Sequence, residues 1–209
     1  MHYKFYIFDV DGTLYSQPKM HNKMFGLILH EIFKNPGFLY DLYILQTFRD
    51  MREHLNEQIR GEIKVLQYTL PAKKIGISVD RVKSIVEKWI YQTPLSFIYD
   101  CRDKRLIQFI NKLPEGSWGV FSDYPAQEKL AALGLCTDFI LCTTDSEINA
   151  MKPKTEGLNA LVKKAGVNVK ECLMIGDRDD RDGEVARRIG MDYIVLPKSL
   201  DKRINIRIY

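Results

Sequence analysis

The sequence predicts an α/β fold, a doubly wound parallel sheet interrupted just after its first strand by an inserted run of helices. Three observations carry this prediction. From about Leu106 onward, short apolar stretches alternate with segments of helical period, the pattern of strand–helix–strand units. Lys4 to Val10 holds five apolar or aromatic residues among seven and reads as one further buried strand. Between that strand and the alternating region, about Gln17 to Tyr91 carries helical signals only.

Taken in order, the first strand breaks at Asp9-Val10-Asp11-Gly12-Thr13, where Gly12 permits a sharp turn. Met24, Leu27, Ile28 and Phe33 then have rough helical spacing, and Asn35-Pro36-Gly37 breaks the helix. A second helix is expected from Leu39 to about Gln58. Ser78-Val79-Asp80 starts another, carried by Val82, Ile85, Val86, Trp89 and Ile90 and stopped by Thr93-Pro94. The alternating part begins with a helix over Leu106–Leu113 and a strand over Trp118–Phe121. A helix over Pro125–Leu133 follows, with Pro125 suited to a first turn. Next come a strand at Phe139–Leu141, a helix at Thr155–Ala165 and a strand at Cys172–Ile175. A helix at Gly183–Ile189 and a strand at Tyr193–Leu196 complete it. Residues 1–15 and 96–209 are therefore expected to form a core, with 16–95 as a helical insertion.

The chain has 209 residues, 45% hydrophobic and 28% charged, ordinary values for a soluble globular protein. No apolar run approaches the roughly 20 residues a membrane helix needs. The N-terminus runs straight into the first strand without a secretory signal, so a cytoplasmic protein that spans no membrane is expected. Cys101, Cys136, Cys142 and Cys172 show no zinc spacing and read as reduced thiols. His2, His21, His30 and His54 are scattered and form no metal cluster. Net charge is +4, and Ser16–Leu95, with 12 Lys or Arg against 8 Asp or Glu, carries that surplus. A basic segment suits an anionic substrate. Without a basic stripe interleaved with aromatics, nucleic acid is not an expected partner. Oligomeric state is not legible.

Asp9 and Asp11 fall at the carboxyl end of the first strand, where open α/β sheets place their ligands. Two carboxylates this close repel each other. A hard divalent cation such as Mg²⁺ removes the conflict, because it prefers carboxylate, carbonyl and water oxygens. Asp9 is then able to attack phosphorus and form an aspartyl-phosphate. Asp11 could protonate the leaving oxygen and later activate water. A bare Asp-x-Asp is more often an ordinary turn. A calcium-loop reading fails, since the fifth, sixth and twelfth positions counted from Asp9 are Thr13, Leu14 and Met20.

The string Phe8-Asp9-Val10-Asp11-Gly12-Thr13-Leu14-Tyr15 resembles the first motif of the haloacid dehalogenase-like (HAD) hydrolases. That resemblance demands three more motifs in fixed order. Ser122, in Phe121-Ser122-Asp123-Tyr124-Pro125, ends a strand before a helix, where hydroxyl and backbone N–H groups can hold a phosphate oxygen. Lys152, in Met151-Lys152-Pro153-Lys154, would neutralise charge on a transferring phosphoryl group, with Lys154 as the neighbouring alternative. Ile175-Gly176-Asp177 opens an acidic loop running to Asp182-Gly183. Asp177 and Asp182 fit as ligands or orienters of Mg²⁺, with Asp180 an alternative for the second. Alone, each piece reads as a cap, a surface lysine or an acidic loop balanced by Arg178 and Arg181; their order and placement carry the resemblance.

The resemblance implies a HAD-like Rossmannoid core and a helical cap of the type inserted between the first and second motifs. In relatives such a cap closes over the site and excludes water. It implies a Mg²⁺-dependent phosphomonoester hydrolase acting on a small phosphorylated metabolite. Asp9 would be nucleophile and Asp11 general acid and base. Ser122 and Lys152 would hold the phosphoryl oxygens. Asp9, the Asp11 carbonyl and Asp177 would hold the metal, supported by Asp182. Dehalogenation is disfavoured, because carbon–halogen displacement needs neither the metal nor Asp11. A sugar-phosphate mutase of the same superfamily and a non-catalytic binding relative are the alternatives. Asp123 stands where many relatives have Asn or a small residue, which bears on substrate binding. Arg49, Arg52 and Arg60 could meet a second anionic group on the substrate, the first two sharing a helix face by their spacing. The plainer reading pairs them with Asp50, Glu53 or Glu57.

Overall fold

The computed structural model describes residues 3–55 and 62–205, with side chains through Arg203. The chain forms two compact units, one of residues 1–18 with 98–209 and one of residues 19–97.

The first unit is built on a five-stranded sheet. Its strands are β1 (Phe5–Phe8), β2 (Trp118–Ser122), β3 (Ile140–Cys142), β4 (Cys172–Gly176) and β5 (Asp192–Val195), in the order β3-β2-β1-β4-β5. Every pairing is parallel, and β1 lies at the centre, with Phe8 level with Val120 on one side and Ile175 on the other. All residues of β1, β2 and β4 are buried, which explains their continuous apolar runs: a parallel sheet covered on both faces shows no polar alternation. The helices are α6 (Lys104–Ile110), α7 (Gln127–Leu133), α8 (Glu156–Ala165) and α9 (Glu184–Ile189). The core joins Phe5 and Ile7 to Phe121, Met174, Leu158 and Val185. The chain builds β2 and β3 to one side of β1, then crosses to build β4 and β5 on the other. That reversal makes a switch point, and the loops after β1 and β4 open into the crevice it leaves.

Helix ends differ from expectation by a few residues, for local reasons. The α7 helix starts at Gln127 rather than Pro125, because Ala126 is its cap and the Tyr124 amide turns back to the Ser122 hydroxyl at 3.3 Å. The α6 helix is capped by Asp103, whose carboxylate accepts from the Arg105 and Leu106 amides at 3.1 Å each. A short helix at Leu95–Cys101 (α5), which the spacing did not predict, spans the junction of the units in sequence. Leu14 and Asp103 are joined backbone to backbone at 2.9 Å, as are Ser16 and Cys101, with an antiparallel bridge between Tyr15 and Arg102.

Arg203, near the C-terminus, is buried and reaches back to the turn after β1. It donates to the Gly12 and Thr13 carbonyls, to the Pro197 carbonyl at 2.6 Å and to the Asp103 carboxylate at 3.1 Å. Removing such a guanidinium takes a donor from three carbonyls and from Oδ2 of a buried carboxylate. Arg203→Ala is therefore expected to lower unfolding free energy by about 3 kcal/mol in urea titrations.

The second unit is helical. It contains α1 (Gln17–Lys34), α2 (Phe38–Glu53), α3 (Ile63–Ile75) and α4 (Val79–Val86), the last continuing as a wider turn over Glu87–Gln92. The expected extension of α2 to Gln58 falls partly outside the described residues. Ser78 caps α4, its hydroxyl accepting from the Arg81 amide at 3.2 Å. Helices α2, α3 and α4 pack on one another, and Ile44, Phe48, Val82 and Val86 are buried. Phe38 meets Trp89 at 4.7 Å between ring centroids, and Phe48 stacks on Tyr68 at 5.6 Å. Among the described residues no helix is long and apolar enough to cross a membrane. Cys101, Cys142 and Cys172 are buried thiols and Cys136 is exposed.

Candidate active site

Asp9 leaves the end of β1 and is buried. Its Oδ1 accepts from the Lys152 ammonium at 2.8 Å and its Oδ2 from the Thr13 hydroxyl at 3.1 Å. Asp177 follows β4 directly. Asp182, five residues on, is buried; its Oδ1 accepts from the same ammonium at 2.7 Å and its Oδ2 from the Arg178 amide at 3.1 Å. One carboxylate oxygen from each of Asp9, Asp177 and Asp182 lies within 4.8 Å of the others. Two glycines permit this crowding. Gly12 sits at φ 93°, and a Cβ there would come within 2.3 Å of Asp177 Oδ2. A Cβ on Gly176 would meet the Asp182 carboxylate at 2.3 Å.

The charges conflict, as like charges in a buried place must. Burial raises the Asp9 pKa well above the ordinary range; Lys152 opposes this, but Asp182, Asp11 and Asp177 add to it. Burial, reinforced by Asp182, pushes Asp177 up to about 6. Burial works against the Lys152 charge too, yet the Asp182, Asp9 and Asp123 carboxylates outweigh it and hold the ammonium protonated. Lys152 contacts two of the three clustered carboxylates, and the oxygen donors of Asp9, Asp177 and Asp182 at this spacing fit a hard divalent cation. Protons compete for the same oxygens. Mg²⁺ affinity, followed by calorimetric titration, is expected to fall at least tenfold per unit as pH drops below about 6, where Asp177 protonates, and the raised Asp9 pKa adds to the loss.

Asp11 stands apart from this cluster. Its carboxylate oxygens take the Lys129 ammonium at 2.6 and 2.7 Å, and Oδ1 also accepts from the Tyr15 hydroxyl. Burial would raise its pKa, but the Lys129 charge and these hydrogen bonds win and hold it below the usual carboxylate value. With the side chain so engaged, the backbone carbonyl is the atom Asp11 could offer a cation. Ser122 ends β2, wholly buried, on the strand paired with β1.

Lys129 and Arg203 escaped the reading of the sequence. For Lys129 a signal existed: Lys129, Leu130 and Leu133 form the buried stripe of α7, in phase with its buried cap Ala126, so helical period turns this lysine inward. Arg203 carried no such mark. Of the alternatives, Lys154 is exposed, and Asp180 is exposed and paired with Arg178 at 2.7 Å, whereas Lys152 and Asp182 lie in the cluster. The shared face expected of Arg49 and Arg52 is not found. Arg49 is exposed, while Arg52 turns into the helical unit and donates to Gln67 at 3.0 Å, because its position falls on the packed side of α2. Arg60 lies outside the described residues.

Known proteins share this framework. The sequence pattern of the haloacid dehalogenase-like hydrolases matches residues 3–190. A glyceraldehyde 3-phosphate phosphatase of Methanopyrus kandleri is 25% identical over 190 residues, covering 88% of this chain and 80% of that protein. The HAD hydrolase YfnB of Bacillus subtilis, crystallised with magnesium, superposes with a TM-score of 0.57 at 16% identity, over 94% of this chain and 89% of that one. L-2-haloacid dehalogenase of Xanthobacter autotrophicus superposes at 0.62 and 15% identity, over 94% and 78%. At these identities the structural likenesses speak for the fold alone.

Proposed function

The chain belongs to the haloacid dehalogenase-like hydrolases, and on that premise we propose that it is a Mg²⁺-dependent phosphomonoester hydrolase of small phosphorylated metabolites. The observation that carries this reading is the cluster of Asp9, Asp177 and Asp182, in which Lys152 bridges Asp9 and Asp182, with a second carboxylate on Asp11 two residues beyond Asp9. A displacement at carbon requires no such set.

Asp9 is the nucleophile. Its oxygen forms a bond to phosphorus as the bond to the leaving oxygen breaks, giving an aspartyl-phosphate. The Lys152 ammonium and the Ser122 hydroxyl hold the phosphoryl oxygens and offset their repulsion with Asp9. Asp11 delivers a proton to the leaving oxygen. It then takes one from the water that attacks phosphorus, so the Asp9 carboxylate and inorganic phosphate are released. Since Lys129 and Tyr15 favour the ionised form, Asp11 must first gain the proton it delivers. Asp9, Asp177, Asp182 and the Asp11 carbonyl would hold the divalent cation, which when bound supplies positive charge against the phosphoryl oxygens. A cytoplasmic location belongs to the same proposal.

The test is release of inorganic phosphate from p-nitrophenyl phosphate and from glyceraldehyde 3-phosphate, with and without Mg²⁺. The second substrate is suggested by the name of the Methanopyrus relative. Metal-dependent release is expected. Absence of release from either compound and from a wider panel of phosphate monoesters, with Mg²⁺ bound, overturns the reading. Metal-independent halide release from a 2-haloacid would replace it with the dehalogenase one.

A further inference from the structure

Buried lysines divide the carboxylates of the site between them: Lys152 serves Asp9 and Asp182, and Lys129 serves Asp11. The second pairing favours the ionised form of Asp11, which by itself opposes its work as an acid, so the lysine's contribution must lie elsewhere. We propose that Lys129 is a positioning residue that fixes the direction in which the Asp11 carboxylate faces, an inference that rests on the phosphatase reading of this site.

The geometry is specific. Lys129 is only 4% exposed, and lysine is rarely buried without a partner. Its ammonium touches both Asp11 oxygens, a contact that fixes rotation of the carboxylate about its last torsion as a single hydrogen bond does not. The Tyr15 hydroxyl meets Oδ1 as well, and the Tyr124 ring lies 5.4 Å from the ammonium, so the lysine end is enclosed by named groups. Its stem belongs to the buried stripe of α7, the helix that follows Ser122 after a short loop. One segment therefore carries both the hydroxyl placed for phosphate and the cation that aims the acid. Precise aim matters because proton transfer in a transition state tolerates little displacement.

An acid that is out of line harms only reactions that need a proton on the leaving oxygen. The test is kcat/KM, which reports steps up to formation of the aspartyl-phosphate, for 2,4-dinitrophenyl, phenyl and alkyl phosphates. For Lys129→Met, kcat/KM is expected to fall about 10²-fold with alkyl phosphates and less than about threefold with dinitrophenyl phosphate, whose leaving group needs no proton. Lys129→Arg, which keeps the charge and the N–H donors, is expected to recover most of the loss. Thermal unfolding of each variant accompanies the kinetics, and Lys129→Gln takes the place of the Met variant if that protein does not fold. An equal loss across all leaving groups, or an Arg variant no better than Met, overturns the inference while leaving the phosphatase intact. A wild type with Mg²⁺ bound that is inert toward these compounds and toward the wider panel of phosphate monoesters removes the phosphatase reading and this role with it.

Discussion

Asp9→Asn is expected to abolish phosphate release, by about 10⁴-fold or more, in a protein that remains folded. The amide cannot serve as the attacking carboxylate, so the loss should appear in kcat and in kcat/KM alike. What makes the variant informative is its stability. Asp9 is held in a place that disfavours its charge, by burial and by Asp182, Asp11 and Asp177, against which stand the Lys152 ammonium and the Thr13 hydroxyl. Asn keeps the side chain's size, removes one negative charge from that crowd and leaves Lys152 its contact with Asp182 at 2.7 Å. The cation-free variant should therefore unfold within about 1 kcal/mol of wild type, or later. Calorimetric unfolding beside the activity assay separates lost chemistry from lost fold. Substantial turnover by a well-folded Asn variant would place the nucleophile elsewhere.

Lys152→Met should do the opposite to stability. Its ammonium is fully buried between Asp9 at 2.8 Å and Asp182 at 2.7 Å, and the methionine side chain fills similar space without charge. Asp9 and Asp182 then lose the ammonium that both contact, a loss expected to cost about 3–5 kcal/mol at neutral pH in denaturant unfolding. The pH dependence has a definite sign. A carboxylate whose folded pKa is raised, as that of Asp9 already is, binds protons on folding, so stability falls as pH rises through the folded value. Without Lys152 the shift grows, and the gap between variant and wild type should widen toward neutral pH and narrow in acid. Added Mg²⁺ should narrow it as well. A gap independent of both pH and Mg²⁺ would mean that the lysine fills volume rather than balancing charge. Turnover should be lost in the same variant, because the ammonium that faces the phosphoryl oxygens beside the cation is then gone.

The parallel core was legible because its signal is local. The residues of β1, β2 and β4 are buried on both faces, so their sequences are near-continuous apolar runs followed by Gly or small polar residues. The helical unit was legible as helical but not element by element. Helix α3 contains Pro71 in its interior, a residue that normally argues against a helix there. In the candidate site, Asp9, Lys152, Asp177 and Asp182 lie together, and each sits at or just beyond a strand end or in the loop after it, where spacing is informative. The groups that spacing did not reveal act across the chain. Lys129 meets Asp11 over a separation of 118 residues, and Arg203 reaches Gly12 over 191. No local period encodes such a pairing, although the inward phase of Lys129 on α7 marked it as a lysine in need of a partner. Arg52 shows the reverse error: spacing alone placed it with Arg49, and packing against α3 decided otherwise.

The pairings of Leu14 with Asp103, of Tyr15 with Arg102 and of Ser16 with Cys101 fasten the two chain crossings of the junction to each other, wholly inside the strand-bearing unit. Topologically, residues 19–97 are a parenthesis whose brackets are already closed. A flexible loop's closure entropy grows only with the logarithm of its length, so shortening what lies between the brackets changes that cost little. Replacing residues 19–97 by a short Gly/Ser linker should accordingly leave a polypeptide that still folds, with a cooperative unfolding transition, because the fastening and Arg203's hold on the Gly12 and Thr13 carbonyls both remain. Insertions and deletions in that parenthesis can then accumulate over evolutionary time without moving the strand ends that carry Asp9 and Asp177.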